Sequence, residues 1–538
     1  DTTSGVRPRV LATGVLVFTA SSRPGRSTTS SRLPRTLRLI TAAVGAIGAP
    51  VMVAAQSPMT TSAMSPALAA HIEHAVDSFV GRALALQLTP GFGVAVVRSG
   101  RVQFALSYGM ADAVRRRALQ ARTLWYIAST SKSYTGVATL LLASRDTMSL
   151  ETPISTWLPD VTWPDGVTSD SLTLADFLGH THGLGNGPVV IQAAFIGAIP
   201  EREWPRLLAT TPRSSSRALR YNNLGYNVAA MVIDRRHARG WRDWMDVSLL
   251  RPAGLRDTHA RVSGLDPRRF ARPHVQHPDG AWDTVTFPKT DVTMNSAGGH
   301  LVTLHDLARW TLLNLDEGRL DGRQVVPAHV IRDAQRPLRW HAPEDPGRRY
   351  AYFDRAAWGA GWNLGAYDGA RMVSRFGSYL SFRSHLSFLP DHGVGVVALA
   401  NGDPGGPVTD MVAALVYDLV LGRPDAVARA HERLSAHAET ALASRTLALR
   451  DTGTFHHPSL GTLLLHHMRG ALQLTWGALR GPLTPLPDNV DVRRFDMAGN
   501  ELTLRLGRDS TGTVNTLTVL GVIAARARDA HARPDTPR

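Results

Sequence analysis

The chain has 538 residues, 43% hydrophobic and 19% charged, which fits a globular protein of two or more domains. It contains no cysteine, which excludes a disulfide framework, a thiol nucleophile and Cys-ligated zinc or iron–sulfur sites. The formal charge of +15 is scattered, with Arg115-Arg116-Arg117 the only triple and no basic stripe interleaved with aromatics, so no nucleic-acid partner is expected.

Residues 32–55 read as an export signal. Arg32, Arg35 and Arg38 precede the apolar run Leu39 to Val53, and Val53-Ala54-Ala55 supplies small residues for cleavage before Gln56. The run is short for a membrane span and no later run is longer, so a periplasmic or secreted protein with no stable span after signal removal is expected. Residues 1–31 are expected to be an unstructured extension.

Next, the apolar spacing predicts a helix from Pro66 to Leu88 with Ser65 as its N-cap. Gly93 to Val97, a Ser99-Gly100 turn and alternating Val102, Phe104 and Leu106 predict a β-hairpin. Ser129 to Ala143 is predicted helical, with Ser129 at its start. The chain has only two lysines, Lys132 and Lys289, among its 59 Lys and Arg residues. One of them stands three residues after Ser129, on the same side of the helix, where its amine can reach the hydroxyl. Unlike arginine, a desolvated lysine can lose its proton and act as a base.

Helices are predicted over Leu172–Leu178, Val228–Ile233 and Leu304–Leu315. Between the first two lie His180-Thr181-His182-Gly183-Leu184 and Tyr221-Asn222-Asn223, and Ala297-Gly298-Gly299 precedes the third. Ser374 to Phe388 and Gly393 to Leu399 predict strands joined by the turn Pro390-Asp391-His392-Gly393, followed by a helix from Val408 to Leu421. Residues 423–445 read as a helical connector. Residues 446–538, with short alternating runs and turn residues, read as a small β-barrel or sandwich domain. His456-His457 and His466-His467 within it are expected at the surface.

Each of these residues also has a plain structural reading. Ser129 serves as a helix cap, Lys132 as a solvated first-turn charge, Tyr221 as a core tyrosine and Arg375 as a strand-edge charge. Lys289 reads as a loop charge. His180 and His182 have metal-ligand spacing without a nearby third ligand, so a loop role is expected and no metal or cofactor.

Ser129-x-x-Lys132, then Tyr221-x-Asn223, then Arg375-Phe376-Gly377, in this order and context, resemble the serine β-lactamase and penicillin-binding-protein superfamily, in its class C-like branch. The resemblance spans residues 67–422. It implies an α+β fold, an antiparallel sheet flanked by helices with a helical subdomain, followed by the small C-terminal all-β domain. It further implies acyl transfer to Ser129, with Lys132 and Tyr221 moving the proton and Asn223 hydrogen-bonded to Lys132 and a substrate amide. The oxyanion would lie between the N–H groups of Ser129 and Ser378, with Gly377 admitting substrate to the strand. The family usually carries Lys or His where this chain has Arg375, a residue able to grip a substrate carboxylate. The implied partner is a small-molecule or peptide substrate with an ester, amide or β-lactam bond; the oligomeric state is left open. Two other readings stand beside it: a non-catalytic binding or sensor protein on the same fold, and a metallohydrolase built on His180 and His182.

Overall fold

A computed structural model describes residues 64–527 apart from 147–148, 186–189, 191–199, 215, 277–279, 286–288, 403, 447–450, 469–470, 478, 487–488 and 498–499. The expected export signal and the extension before it lie outside the described residues.

The first helix, α1 (Pro66–Ala85), begins as its sequence dictates, with the Ser65 side chain accepting the Leu68 N–H at 3.1 Å. Such a cap contributes about 1 kcal/mol. The hairpin follows as β1 (Gly91–Arg98) and β2 (Arg101–Asp112). The lysine-bearing helix α2 (Ser131–Arg145) begins two residues later than its periodicity suggests, because Ala128–Thr130 form a 3₁₀ turn ahead of it. After a single turn at Ile154–Trp157, Leu172 is extended and the helix expected there is Leu174–Leu178, opened by a capping box between Thr173 and Asp176. Then come α3 (Leu224–Arg236) and α4 (Leu304–Leu315). Strands β3 (Phe353–Trp358), β4 (Asn363–Tyr367), β5 (Ala370–Tyr379), β6 (Phe382–Leu389) and β7 (Val394–Ala400) precede α5 (Gly405–Val420) and α6 (Ala426–Thr446).

The main sheet runs Arg339–Trp340, β3, β4, β5, β6, β7, β1, β2, Arg117–Ala118, with Arg349–Tyr350 added beside β3. The pairings are antiparallel, and β1 lies against β7, so the N-terminal hairpin completes a sheet built mostly from residues beyond 338. Period-two alternation divides the strands between two cores. Phe92, Val94, Val96 and Ala398 pack with Val76, Phe79, Val412 and Val416 of α1 and α5. Ala95, Val97, Val397 and Leu399 pack with Val137, Leu141, Leu307 and Trp310 of α2 and α4. Burying each such side chain is worth roughly 1.5–3 kcal/mol. The helical subdomain thereby rests on one face of the sheet.

Pairing between β4 and β5 stops at Asn363 opposite Ser374, whereas β5 continues against β6 as far as Tyr379. Residues 375–379 therefore have a strand partner on one side only. The open edge faces the start of α2.

Residues 453–526 form a closed eight-stranded antiparallel barrel with its own core of Phe455, Leu463, Leu465, Leu474, Leu504 and Leu517. One expectation is corrected here: His467 is buried, not on the surface. It follows Leu463 and Leu465 at steps of two, so the pleat carries it to their inner face.

Candidate active site

Ser129 occupies the 3₁₀ turn before α2. Ala128, just ahead of it, has φ of +44°, a left-handed conformation uncommon for a residue with a Cβ. The turn is held from the sheet side. Ser384 Oγ donates to Ile127 O at 2.9 Å, and Thr130 Oγ1 and Ser384 Oγ are hydrogen-bonded at 2.8 Å. Gly377 is necessary at this crossing, since a Cβ there would lie 2.0 Å from Ile127 O. The sequence suggested that Gly377 admits substrate; the contact it relieves is with the segment that delivers the serine.

Lys132 is fully buried, and its Nζ has three partners: Asn223 Oδ1 at 2.6 Å, Ala297 O at 2.7 Å and Ser129 Oγ at 3.2 Å. Two of these are carbonyl oxygens, which only accept. Both must therefore receive an N–H, leaving the third position on nitrogen aimed at the serine hydroxyl: a proton in the ammonium, a lone pair in the amine. Burial pulls the lysine down to about 8, and the Arg375 cation assists while Tyr221 opposes. The Ala297-Gly298-Gly299 turn, singled out in the sequence without a role, thus supplies a backbone acceptor that orients the amine.

Tyr221 OH donates to Ser129 Oγ at 2.7 Å. It receives Arg375 Nη2 at 3.0 Å and lies 3.4 Å from Asn223 Oδ1. Desolvation pushes the phenol up, yet the Lys132 and Arg375 cations outweigh it and bring Tyr221 down to about 8. With phenol and amine brought together in this way, a proton passes between them at little cost in free energy.

Arg375 is only 2% exposed, and its guanidinium is engaged internally. Nε donates to Ser129 O at 2.8 Å, Nη2 binds Tyr221, and the group lies over the Trp358 ring at 5.0 Å. The carboxylate-gripping geometry expected from the residue type is replaced here by one hydrogen bond to the nucleophile's backbone carbonyl and one to the Tyr221 hydroxyl. Gly377 and Ser378 lie on the open edge of β5 and line the cavity in front of Ser129.

The loop His180-Thr181-His182-Gly183-Leu184 places Tyr221 and Asn223. His180 Nδ1 accepts the Asn222 N–H at 3.0 Å, and its ring lies 4.9 Å from that of Tyr221. Burial, then the Lys132 and Arg375 cations, hold His180 well below its ordinary value, so it is neutral. His182 Nδ1 accepts the Leu184 N–H at 3.1 Å. No group of three His, Asp or Glu side chains suited to a metal ion occurs among the described residues. The loop is anchored by buried Asp176, which accepts from Thr181 Oγ1 at 3.1 Å and pairs with Arg339 at 2.7 Å and Arg217 at 2.6 Å. Lys289 donates to Thr290 O at 2.6 Å and is not among the residues lining the cavity.

A cavity of about 740 Å³ opens in front of Ser129, within the range that takes a drug-sized molecule. Tyr221, Asn223, Trp358, Asn363 and Arg375 line it near the serine, and Tyr350, Arg355, Arg383 and Asp410 elsewhere. Part of its wall comes from the barrel, through Gln473, Arg480, Gly481 and Pro482. Sequence reasoning had no signal for this, because residues a hundred positions past β5 reach the site only through the docking of the second domain.

The family model described as "Beta-lactamase" matches residues 76–420. The chain is 26% identical over 234 residues to esterase EstB of Burkholderia gladioli, covering 40% of this chain and 59% of the esterase. It is 23% identical over 390 residues to a beta-lactamase of Yersinia enterocolitica, covering 68% and 94% of the two chains. Among the relatives matched, EstB and penicillin-binding protein 4* of Bacillus subtilis are spanned over only 59% and 39% of their lengths. Among solved structures, the octameric penicillin-binding protein homologue of Pyrococcus abyssi superposes with a TM-score of 0.55 at 16% identity, covering 84% of this chain and 99% of that one. The D-amino acid amidase of Ochrobactrum anthropi superposes with a TM-score of 0.52 at 20% identity, over 68% and 99%. At these identities the superpositions speak for the fold.

Proposed function

The chain belongs to the beta-lactamase family, a group of serine hydrolases, and from that membership we propose that it cleaves an ester or amide through an acyl-enzyme on Ser129. The observation that carries this reading is the placement of one serine hydroxyl 2.7 Å from a phenol and 3.2 Å from a buried amine, both at about 8. In this reading Ser129 Oγ attacks the carbonyl carbon as its proton passes to Tyr221 and Lys132. The oxyanion takes N–H bonds from Ser129 and Ser378, each typically worth ~3 kcal/mol. The proton then goes to the leaving group, which departs as an alcohol or amine. Water repeats the sequence on the acyl-serine and frees the acid. A general base of this kind contributes about 10²–10⁴-fold.

Esters and D-configured amides are the substrate classes proposed, on the strength of the esterase and amidase named above. The buried, internally bonded Arg375 weighs against a β-lactam carboxylate at that position. Placement outside the cytoplasm is also proposed; it rests on residues 32–55 and is tested by fractionating cells that express the full chain.

The test is turnover of p-nitrophenyl butyrate, D-phenylalanine amide and a chromogenic cephalosporin by purified protein. Multiple turnovers of the ester or amide, lost at least about 100-fold in Ser129→Ala and Lys132→Ala, are expected. Turnover that survives Ser129→Ala would overturn the reading. The absence of any turnover would favour the binding-protein alternative.

A further inference from the structure

Among the described residues, the cavity in front of Ser129 is lined by four arginines, Arg355, Arg375, Arg383 and Arg480, and two aspartates, Asp345 and Asp410. Both carboxylates are already engaged. Asp345 bonds His341 Nδ1 at 2.7 Å and accepts the Gly347 N–H, while Asp410 bonds His385 Nδ1 at 2.7 Å. Two of the arginines are also spoken for: Arg375 by Ser129 and Tyr221, and Arg383 by the carbonyls of Leu380 and Phe382.

The other two differ. Arg355 donates from Nη2 to Gly347 O and stacks over Tyr350 at 4.8 Å, but its Nε is buried with no hydrogen-bond partner. A buried guanidinium N–H left unsatisfied is costly unless a ligand supplies the acceptor. Arg480, on the barrel strand Leu479–Leu486, is exposed and has no carboxylate within ion-pair distance among the described residues. Its backbone is fixed by pairing with Thr475. Thus the main domain presents Arg355, whose acidic neighbours Asp345 and Asp410 are each bonded to a histidine, and the barrel presents Arg480, to the same cavity.

We propose that Arg355 and the barrel's Arg480 form an anion subsite that selects substrates bearing a carboxylate away from the scissile carbonyl, which makes the C-terminal barrel a specificity element. The proposal rests on the reading of this cavity as the substrate site. It is distinct from a carboxylate site at Arg375, whose Nε and Nη2 are bonded to Ser129 O and the Tyr221 hydroxyl.

The experiment uses the full chain carrying Ser129→Ala, so that binding is read without turnover. Calorimetry compares p-nitrophenyl hemiglutarate with p-nitrophenyl pentanoate, esters of equal acyl length that differ in the terminal carboxylate. About ten-fold tighter binding of the hemiglutarate is expected, weakening between 50 and 500 mM NaCl. Adding Arg480→Glu, or separately Arg355→Gln, should bring the ratio to about one, and Arg355→Lys should restore part of it. Arg480 is exposed, so its variant keeps the test informative where a change at Arg355 perturbs folding. Equal affinity for the two esters before either change, or a ratio unaltered by Arg480→Glu, overturns the subsite. If the hemiglutarate preference holds while the unmutated enzyme turns over no ester, the subsite stands and the hydrolase reading falls.

Discussion

Arg375 Nη2 donates to the Tyr221 hydroxyl oxygen at 3.0 Å, while Nε of the same group donates to the backbone carbonyl of Ser129 at 2.8 Å. One permanent cation therefore holds both the nucleophile's peptide and the phenol beside it. Replacing it with Arg375→Gln removes the charge that favours the phenolate. The prediction is that the rising limb of kcat/KM against pH moves up by about one unit and that activity at pH 7 falls about ten-fold. Arg375→Lys, which keeps the charge, should shift the profile less. Profiles between pH 6 and 10 decide this.

For the unmodified protein the sign follows from the base acting in its deprotonated form. Burial lowers Lys132 to about 8, and the neighbouring cations bring Tyr221 to about 8 against desolvation. Activity should therefore climb through pH 7 and level off above about 8. A pH–rate profile flat from 6 to 9 would contradict the assignment.

Lys132→Arg keeps a positive charge but supplies no lone pair, so charge and basicity can be separated at this position. Turnover is expected to fall by about 10²–10⁴-fold, as in Lys132→Ala. Steady-state kinetics on one ester, alongside circular dichroism of each variant, gives the comparison.

Gly377→Ala places a methyl group 2.0 Å from Ile127 O and 2.4 Å from Ser384 Oγ. The serine hydroxyl can turn away, but the backbone carbonyl cannot without moving the turn that carries Ser129. A loss of about 1–3 kcal/mol is expected, with reduced turnover. Thermal unfolding and ester kinetics on the same preparation measure both.

Asp176 anchors the loop behind Tyr221. Burial pushes its carboxyl up, but the Arg339 hydrogen bond and the Arg217 and Arg339 cations outweigh this and leave it below the ordinary value. A lowered folded-state value means stability that is present above the unfolded value near 4 and lost as pH falls through the folded one. Asp176→Asn should lower the unfolding midpoint at pH 7 by a few degrees and shrink the difference between pH 7 and pH 3.

The sequence was most informative where chemistry and local periodicity coincide. Ser129 and Lys132 are three residues apart on one helical turn, so their meeting follows from geometry that needs no tertiary information. Tyr221 and Asn223 required the resemblance, because 92 residues separate the tyrosine from the serine it touches. The partners of Arg375 were beyond reach: residue type suggested a carboxylate grip, and only the crossing of β5 over Ile127–Ser129 turns the guanidinium inward. The Ala297 carbonyl is invisible for a related reason, since any residue could supply that backbone oxygen. His467 shows the converse, where counting from Leu463 and Leu465 would have placed it inside the barrel.

The central claim is that Ser129 is the nucleophile, and intact-protein mass spectrometry after exposure to a fluorophosphonate tests it most directly. One covalent adduct per chain, mapped to Ser129, slowed in Lys132→Ala and absent in Ser129→Ala, is the predicted result. An adduct that persists in Ser129→Ala, or a folded protein that takes none, would contradict the account.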